Sequence, residues 1–223
     1  MNEVAAVYNR IAGWFDKTRT RALIEQPYLE YLTRALKEGA SVLDLGCGTG
    51  EPMLRYLVER QYEVLGVDAS VAMIDIARMR FPDTRFEVCD MRELNLQRRF
   101  DAVIAWHSLF HLAPGDQRAM IQTFARHLQP GGLLMFTSGS DAGEVWSENG
   151  GEALYHASLA QAEYGSLLET HGFQVLHHAM DDAACGGATV WIARLGSGQR
   201  RQLRRSVSPS RAEARTGSPL PQR

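Results

Sequence analysis

The stretch VLDLGCGTGEP, residues 42–52, combines a short apolar run with glycines at positions 46, 48 and 50. The apolar run predicts a buried strand, and the residues after the glycines follow a helical pattern. Because glycine has no Cβ atom, a ligand can approach the backbone closely in such a turn. The N-terminus of the following helix adds free N–H groups. The stretch therefore predicts a strand–turn–helix unit that binds a ligand with its main chain.

The spacing of these glycines can be compared with the motifs of two nucleotide-binding loops. The phosphate-binding loop requires a lysine after its last glycine, and residues 42–52 contain no lysine. The dinucleotide fingerprint GxGxxG requires a third glycine at position 51 or 53, where the sequence has Glu51 and Met53. The spacing excludes the first loop and argues against the second.

Strand and helix patterns alternate along most of the chain. Strands are predicted at residues 41–45, 62–67, 84–89, 100–106, 131–138, 173–180 and 188–195, and helices at 51–60, 70–79, 115–128 and 159–172, with further helical pattern in residues 1–40. Short apolar strands that alternate with helices are typical of a parallel sheet covered on both faces. Only a turn separates the last two strands, which predicts an antiparallel pair at one edge. Residues 138–159 are polar and rich in glycine, and we expect a long loop there, either a functional lid or disordered.

The composition sets the broad class of protein. The chain has 223 residues, of which 45% are hydrophobic and 22% charged, as in a soluble globular domain. It has no apolar run of about 18 residues and no signal-peptide pattern, and its three cysteines are far apart and form no CxxC pair. We therefore expect a cytoplasmic protein without a membrane partner.

Residues 197–223 differ in composition from the rest of the chain. They hold seven arginines and one glutamate among many serines, prolines and glycines, which predicts a disordered basic tail. Since the whole chain has a net charge of −2, the remainder is distinctly acidic, which argues against nucleic-acid binding by the main domain. The expected organisation is an N-terminal helical cap at 1–40, a core at 41–196 and the tail at 197–223.

The loop DLGCGTG, residues 44–50, resembles the DxGxGxG loop of the class I S-adenosylmethionine-dependent methyltransferases. Acidic residues follow at the ends of the next two predicted strands, Asp68 in VDAS and Asp90 in CDM. The segments FDAVIAWHSLFHL and LQPGGLLMFT are similar to the fourth and fifth strands of that family. The resemblance covers roughly residues 35–195. It implies a Rossmann-like, doubly wound α/β fold with a seven-stranded mixed sheet, an N-terminal helical cap, and S-adenosylmethionine as the cofactor.

The resemblance assigns the cofactor to the glycine loop and the neighbouring strand ends. The implied cofactor-binding residues are Asp44, Gly46, Cys47, Gly48, Gly50, Asp68, Ala69, Asp90, Met91, Trp106 and Tyr8. Asp68 can accept hydrogen bonds from two ribose hydroxyls, and Asp90 stands where the family's acid meets the adenine amino group. Alternatives remain open: Asp44 can bond loop amides, Asp68 can cap the next helix, and Asp90 can belong to a surface turn. Ser70 is the better candidate for the helix cap.

The fourth strand ends where a methyl acceptor is expected to lie. His111 is a candidate catalytic base, since a neutral imidazole accepts protons near pH 7, and His107 is a second catalytic candidate. A purely structural histidine is the alternative. Because this pair has no identifiable third ligand, we expect no metal site. The residues expected to contact the substrate are Trp14, Phe110, Trp146, Tyr155 and His156.

The function expected from these features is methyl transfer from S-adenosylmethionine to a small-molecule acceptor, in a monomer or homodimer. The acidic main domain favours a small acceptor over nucleic acid. The motif (N/D)PP(Y/F), typical of enzymes that methylate amide or exocyclic amino nitrogens, is absent from the sequence. Three alternatives remain open: methylation of RNA or protein with the tail as a tether, a nucleotide-dependent oxidoreductase, and a non-methylating binder or lyase on the same fold.

Overall fold

The computed structural model describes residues 3–197 of the 223-residue chain. Within this range the α-helices are α1 Glu3–Thr18, α2 Gln26–Thr33, α3 Met53–Glu59, α4 Val71–Arg80, α5 Pro114–His127 and α6 Gln161–Thr170. The strands are β1 Ser41–Leu45, β2 Glu63–Asp68, β3 Arg85–Val88, β4 Phe100–Ala105, β5 Leu128–Ser138, β6 Gly143–Asn149, β7 Glu152–Ser158, β8 Phe173–Asp182 and β9 Ala188–Leu195. Apart from Ser197, the predicted basic tail lies outside the described residues.

Seven strands form one mixed sheet in the order β3-β2-β1-β4-β5-β9-β8. The pairs β1–β2, β1–β4, β2–β3 and β4–β5 are parallel, whereas β9 pairs antiparallel with both β5 and β8. The predicted seven-stranded, doubly wound sheet with an antiparallel pair at one edge is confirmed. The strand order reverses between β1 and β4, and open α/β sheets bind ligands at the carboxyl ends of the strands beside such a reversal.

The sheet separates two apolar layers because successive side chains of a strand point to opposite faces. Val42 of β1 belongs to the layer that contains Leu54 of α3. Its neighbour Leu43 belongs to the layer that contains Phe124 of α5 and Leu168 of α6. Helices therefore cover both faces, as a parallel sheet requires. This packing fixes β1 and α3, and with them the glycine turn that joins the two.

The predicted helices are present with small shifts of their bounds. Ser70 caps α4, because its hydroxyl oxygen accepts a hydrogen bond from Met73 N at 3.2 Å. The expectation that Ser70 rather than Asp68 caps this helix is confirmed. No helix in residues 3–197 is long and apolar enough to cross a membrane.

Helix α1 runs alongside α4 and is attached to it by polar side chains. Asn9 Oδ1 accepts hydrogen bonds from Ser70 Oγ at 2.8 Å and from Ala72 N at 3.0 Å. Farther along α1, the Asp16 carboxylate pairs with Arg80 at 2.8 Å. The first contact lies at the start of α4 and the second at its end, so α1 is held over the carboxyl edge of the sheet.

The prediction of a long loop at residues 138–159 is wrong, because β6 and β7 form a separate antiparallel hairpin there. Gly150 and Gly151 join the two strands with φ angles of 59° and 82°. These are the left-handed values that a two-residue hairpin turn requires. Leu154 of β7 is buried against Val7 of α1. The hairpin therefore packs on the N-terminal helix and is not hydrogen-bonded into the main sheet.

Candidate active site

A cleft opens at the carboxyl ends of β1, β2, β3 and β4, beneath α1. It encloses about 920 Å³ of space free of protein atoms, part of it open to solvent. The predicted site residues that line it are Tyr8, Asp44, Gly46, Cys47, Gly48, Asp68, Ala69, Asp90, Met91, Trp106, His107 and His111. The structure thus brings together residues from the helical cap and from four strand ends.

Backbone hydrogen bonds to β2 fix the shape of the glycine turn. Gly46 N and Cys47 N both donate to Val67 O, at 2.7 and 3.1 Å. Gly46 has a φ of 75°, and a Cβ atom there would overlap Ser108. Gly48 has a φ of 53°, and apart from its chain neighbours no described atom lies within 4 Å of the place a Cβ would take. The turn therefore presents bare backbone to the cleft at Gly48.

Gly50 is not among the residues that line this cleft. Its φ is 81°, and a Cβ there would lie 2.6 Å from the Phe81 ring, so the position serves the turn and its packing. Cys47 does line the cleft, and burial raises the pKa of its thiol, as it does for Cys89. Because the thiolate is the nucleophilic form, neither cysteine is activated for catalysis.

Asp68 connects the glycine turn to α4. Its Oδ2 accepts a hydrogen bond from Gly48 N at 2.9 Å, and its Oδ1 accepts one from Ser70 N at 2.8 Å. Burial raises the pKa of this carboxyl, while its backbone hydrogen bonds oppose the shift. Burial, and then the Asp68 charge, raise the pKa of Asp44 to about 7, whereas Arg19 lowers it. The buried carboxyl group of Asp44 and the half-buried one of Asp68 make this part of the cleft favourable for a cation.

Asp90 is held by a residue two positions along the chain. Its carboxylate accepts hydrogen bonds from Arg92 Nε at 3.0 Å and from Arg92 Nη2 at 2.6 Å, and it caps the 3-10 turn Met91–Glu93. Arg92 also reaches Asp116 of α5 at 3.2 Å. Asp90 lines the cleft and also belongs to this turn, and its contact with the adenine amino group stays a prediction.

Arg19 lines the cleft, although the sequence analysis does not name it. Its Nε donates to Glu51 O at 2.9 Å, and its guanidinium lies 5.5 Å from the centroid of the Phe15 ring. The packing of α1 above the glycine turn brings it there. Arg19 also pairs with Glu25 at 3.8 Å, and no local signal separates it from Arg21.

Tyr8 and His111 form a hydrogen-bonded pair in the wall of the cleft. His111 Nδ1 lies 2.9 Å from Tyr155 O, and a carbonyl oxygen can only accept, so Nδ1 carries the proton. Nε2 of the neutral ring is then an acceptor, and Tyr8 OH donates to it at 3.0 Å. Burial lowers the pKa of His111 to about 4 and raises that of Tyr8. Both side chains are therefore uncharged near neutral pH.

His107 has a φ of 48°, a left-handed value that is uncommon outside glycine. Its N donates to Thr137 Oγ1 at 2.8 Å, which fixes the chain just after β4. Burial lowers the pKa of His107 to about 4, so this ring is neutral as well. In residues 3–197 no group of three or more His, Cys, Asp or Glu side chains is placed to hold a metal ion.

The residues predicted to contact the substrate lie around this cleft rather than in it. Trp14 is exposed and covers the turn of the hairpin. Trp146 and Tyr155 line a second cleft next to the first. Phe110 and His156 stack with ring centroids 5.3 Å apart and line a further space beside β6. Their contact with a substrate stays a prediction.

The chain matches known proteins over much of its length. Residues 15–178 match a family described as methyltransferase domain. The chain is 35% identical over 135 residues to a dTDP-3-amino-3,6-dideoxy-alpha-D-glucopyranose N,N-dimethyltransferase of Streptomyces fradiae, covering 60% of this chain and 52% of that protein. It is 36% identical over 137 residues to the probable tRNA methyltransferase 9B of Mus musculus, covering 59% of this chain and 28% of that protein. The chain thus spans about half or less of the length of these relatives.

A solved structure has the same architecture. It is the 1,6-didemethyltoxoflavin-N1-methyltransferase of Burkholderia thailandensis with bound 1,6-didemethyltoxoflavin and S-adenosylhomocysteine. Its TM-score is 0.68 at 21% sequence identity, over 86% of this chain and 87% of that chain. The predicted class I methyltransferase fold is therefore confirmed, and the family match confirms the predicted methyltransferase domain. By the match of residues 15–178, this chain belongs to the methyltransferase-domain family.

Proposed function

We propose that the protein is an S-adenosylmethionine-dependent methyltransferase that acts on a small-molecule acceptor. One observation carries the proposal: bare backbone at Gly48 lies in the same cleft as the buried carboxyl group of Asp44 and the half-buried one of Asp68. Their pKa values are raised because burial disfavours the charged form. A positively charged ligand without phosphate removes that penalty, which suits the sulfonium and ammonium groups of S-adenosylmethionine.

The other parts of the cofactor also have partners of suitable chemistry in the cleft. Arg19 is a cation that can take the methionine carboxylate. Asp68 uses one acceptor site for Gly48 N and one for Ser70 N. Since a carboxylate has about four such sites, it keeps others for ribose hydroxyls. The buried Nε1 of Trp106 has no hydrogen-bond partner among the described residues, so the wall of the cleft retains an unused donor.

When bound, S-adenosylmethionine supplies an electrophilic methyl group. The chain itself has to position the acceptor, exclude water and take up a proton. Tyr8 is placed to take up the proton. Its oxygen can receive the proton that the methyl acceptor loses, while the hydroxyl proton of Tyr8 passes to His111 Nε2. The low pKa of His111 keeps that nitrogen unprotonated beforehand. The Tyr155 carbonyl, which accepts a hydrogen bond from Nδ1, stabilises the imidazolium that forms.

A small acceptor is supported by the charge of the chain and by two similar proteins. Outside residues 197–223 the sequence is acidic, which disfavours a nucleic-acid surface. The Streptomyces fradiae relative is named for an amino sugar, and the Burkholderia thailandensis structure holds a small heterocycle. Helix α1 and the hairpin also narrow the approach to Tyr8 and His111, which favours a compact molecule.

Calorimetry tests the cofactor, and a product assay tests the reaction. The full-length protein is titrated with S-adenosylmethionine, S-adenosylhomocysteine and NAD, and we expect it to bind the first two only. Incubation with labelled S-adenosylmethionine and a panel of small acceptors should then yield S-adenosylhomocysteine and a methylated product. Binding of NAD without S-adenosylmethionine, or release of methylthioadenosine, would contradict the proposal.

Methylation of RNA is a second candidate. One relative is named as a probable tRNA methyltransferase, and residues 197–223 hold seven arginines that could bind phosphates. A chain that ends at Leu195 separates the two candidates. An enzyme for small molecules should keep its kcat/KM without the tail, whereas an enzyme that holds RNA through the tail should lose activity.

A further inference from the structure

A second cleft adjoins the first, and His111 belongs to the walls of both. It encloses about 880 Å³ of space free of protein atoms, part of it open to solvent. Its walls come from α1, from the β6–β7 hairpin and from the start of α5. Val4, His111 and Leu112 line both clefts, so the two spaces are contiguous.

The charge of this second cleft is unsuited to an anion. Glu3 and Asp116 line it, and Arg92 is the only cation that does so among the described residues. Arg92 is already paired with Asp90 at 2.6 Å and with Asp116 at 3.2 Å. A phosphate or carboxylate brought here would meet the acid Glu3 and an Arg92–Asp116 ion pair whose charges offset each other.

Two aromatic residues of the hairpin line the second cleft, with their ring planes inclined by 63°. Trp146 and Tyr155 are directly opposite each other on β6 and β7, with ring centroids 5.3 Å apart. Trp146 is 60% exposed, and the Tyr155 hydroxyl donates to Glu144 at 2.7 Å. An exposed tryptophan beside a cleft can stack on flat groups and attracts cations to its face.

Tyr155 links the second cleft to the centre proposed for methyl transfer. Tyr155 lines the cleft, and its carbonyl accepts the hydrogen bond from His111 Nδ1 at 2.9 Å. A molecule in the second cleft therefore lies next to the Tyr8–His111 pair. In the proposed function that pair takes the proton of the acceptor.

We propose that the second cleft binds the methyl acceptor, and that this acceptor is an uncharged or cationic molecule with a flat apolar group. A phosphorylated or nucleotide-linked molecule does not fit the acids that line it. This inference rests on the proposed function. The proposed acceptor differs from that of the Streptomyces fradiae relative, whose name specifies a dTDP-linked sugar.

Two probes with the same ring and opposite charge test the inference. Tryptamine and indole-3-acetate are titrated by calorimetry into the protein saturated with S-adenosylhomocysteine. We expect tryptamine to bind at least tenfold more tightly. Trp146→Ala should weaken its binding by about tenfold. Val145→Ala, a matched change at the neighbouring residue of β6, which is 61% exposed and points to the other face, should leave it unchanged.

A change of charge at Asp116 provides the second arm of the test. Asp116→Lys should reverse the order of the two binding affinities, so that indole-3-acetate binds more tightly than tryptamine. If the lysine variant melts at a lower temperature than wild type, Asp116→Asn replaces it and should reduce the difference between the two affinities. Equal or tighter binding of indole-3-acetate to wild type, or binding of neither probe, overturns the inference. Failure to bind S-adenosylhomocysteine at all would instead overturn the proposed function, so the two failures can be told apart.

Discussion

Asp68 joins the glycine turn to α4, because its two carboxylate oxygens accept hydrogen bonds from Gly48 N and Ser70 N. We expect Asp68→Ala to weaken S-adenosylmethionine binding by roughly 10–100-fold, since both this link and a charged acceptor for the ribose are lost. Calorimetry measures the change. Asp75→Ala is the matched control, because it removes an exposed carboxylate of α4 that faces Arg78 at 3.7 Å. Unchanged affinity in Asp68→Ala would leave Asp68 with a structural role only.

Asp44 should make the cofactor affinity depend on pH. The pKa of its carboxyl is raised to about 7, and a cation binds more tightly to the ionised form than to the neutral one. We therefore expect the affinity for S-adenosylmethionine to rise between about pH 6 and pH 8. Asp44→Asn removes this titration and should reduce the slope, whereas any titration of the ligand itself is common to both proteins. Equal slopes would show that Asp44 does not respond to the charge of the ligand.

The hydroxyl of Tyr8 should affect turnover more than cofactor binding. Tyr8→Phe removes the donor to His111 Nε2 and the oxygen proposed to take the acceptor's proton. We expect kcat to fall at least about tenfold while the dissociation constant of S-adenosylhomocysteine changes less than threefold. Steady-state kinetics and calorimetry give the two numbers. Tyr31→Phe, at a tyrosine that is 42% exposed on α2, is the control. A similar fall in both variants would count against the relay.

Local sequence patterns predict some residues of the cleft but not others, and the difference has a physical reason. Asp44, Asp68 and Asp90 lie at or just after the ends of strands, and the carboxyl ends of parallel strands meet at one edge of the sheet. Arg19 belongs to no strand or helix, and only the packing of α1 brings it to the cleft. The Tyr8–His111 hydrogen bond joins residues 103 positions apart, so no periodicity indicates it.

Among the elements, α1 is the one whose attachment can be weakened without touching the sheet. Asn9 and the ion pair of Asp16 hold it to α4. We expect the double variant Asn9→Ala, Asp16→Ala to speed hydrogen exchange in residues 3–18, to leave β1 protected, and to weaken S-adenosylhomocysteine binding by about tenfold. Lys17→Ala changes an exposed position of the same helix and is the control. Unaltered exchange in α1 of the double variant would show that other contacts hold the helix.

The hairpin β6–β7 shows what limits the prediction of an element. Most side chains of β6 are exposed, so its sequence lacks the apolar alternation that predicts a half-buried strand. The signal that could have found it is Gly150-Gly151, because Gly-Gly is one of the preferred pairs in two-residue hairpin turns. Strand β1, by contrast, is buried from Val42 to Leu45, and its apolar run could be recognised directly.

For the whole molecule, ligand binding should appear as added thermal stability. A ligand that binds only the folded state at 100 times its dissociation constant contributes about 2.7 kcal/mol. For a chain of this size, that corresponds to a rise of roughly 5–10 °C in the melting temperature. We expect this rise with S-adenosylhomocysteine and none with NAD, which also contains adenosine. The same shift with both ligands would indicate recognition of adenosine alone.

In the proposed function, the cofactor and the acceptor are bound largely by different parts of the molecule. The glycine turn, Asp44 and Asp68 sit on the seven-stranded sheet, whereas the side chains proposed to meet the acceptor come mainly from α1 and the hairpin. These two segments pack on each other through Val7 and Leu154. They could be transplanted as a pair, together with Tyr8, which α1 carries. Grafting both onto another member of the family should transfer acceptor preference while the recipient keeps its own cofactor site.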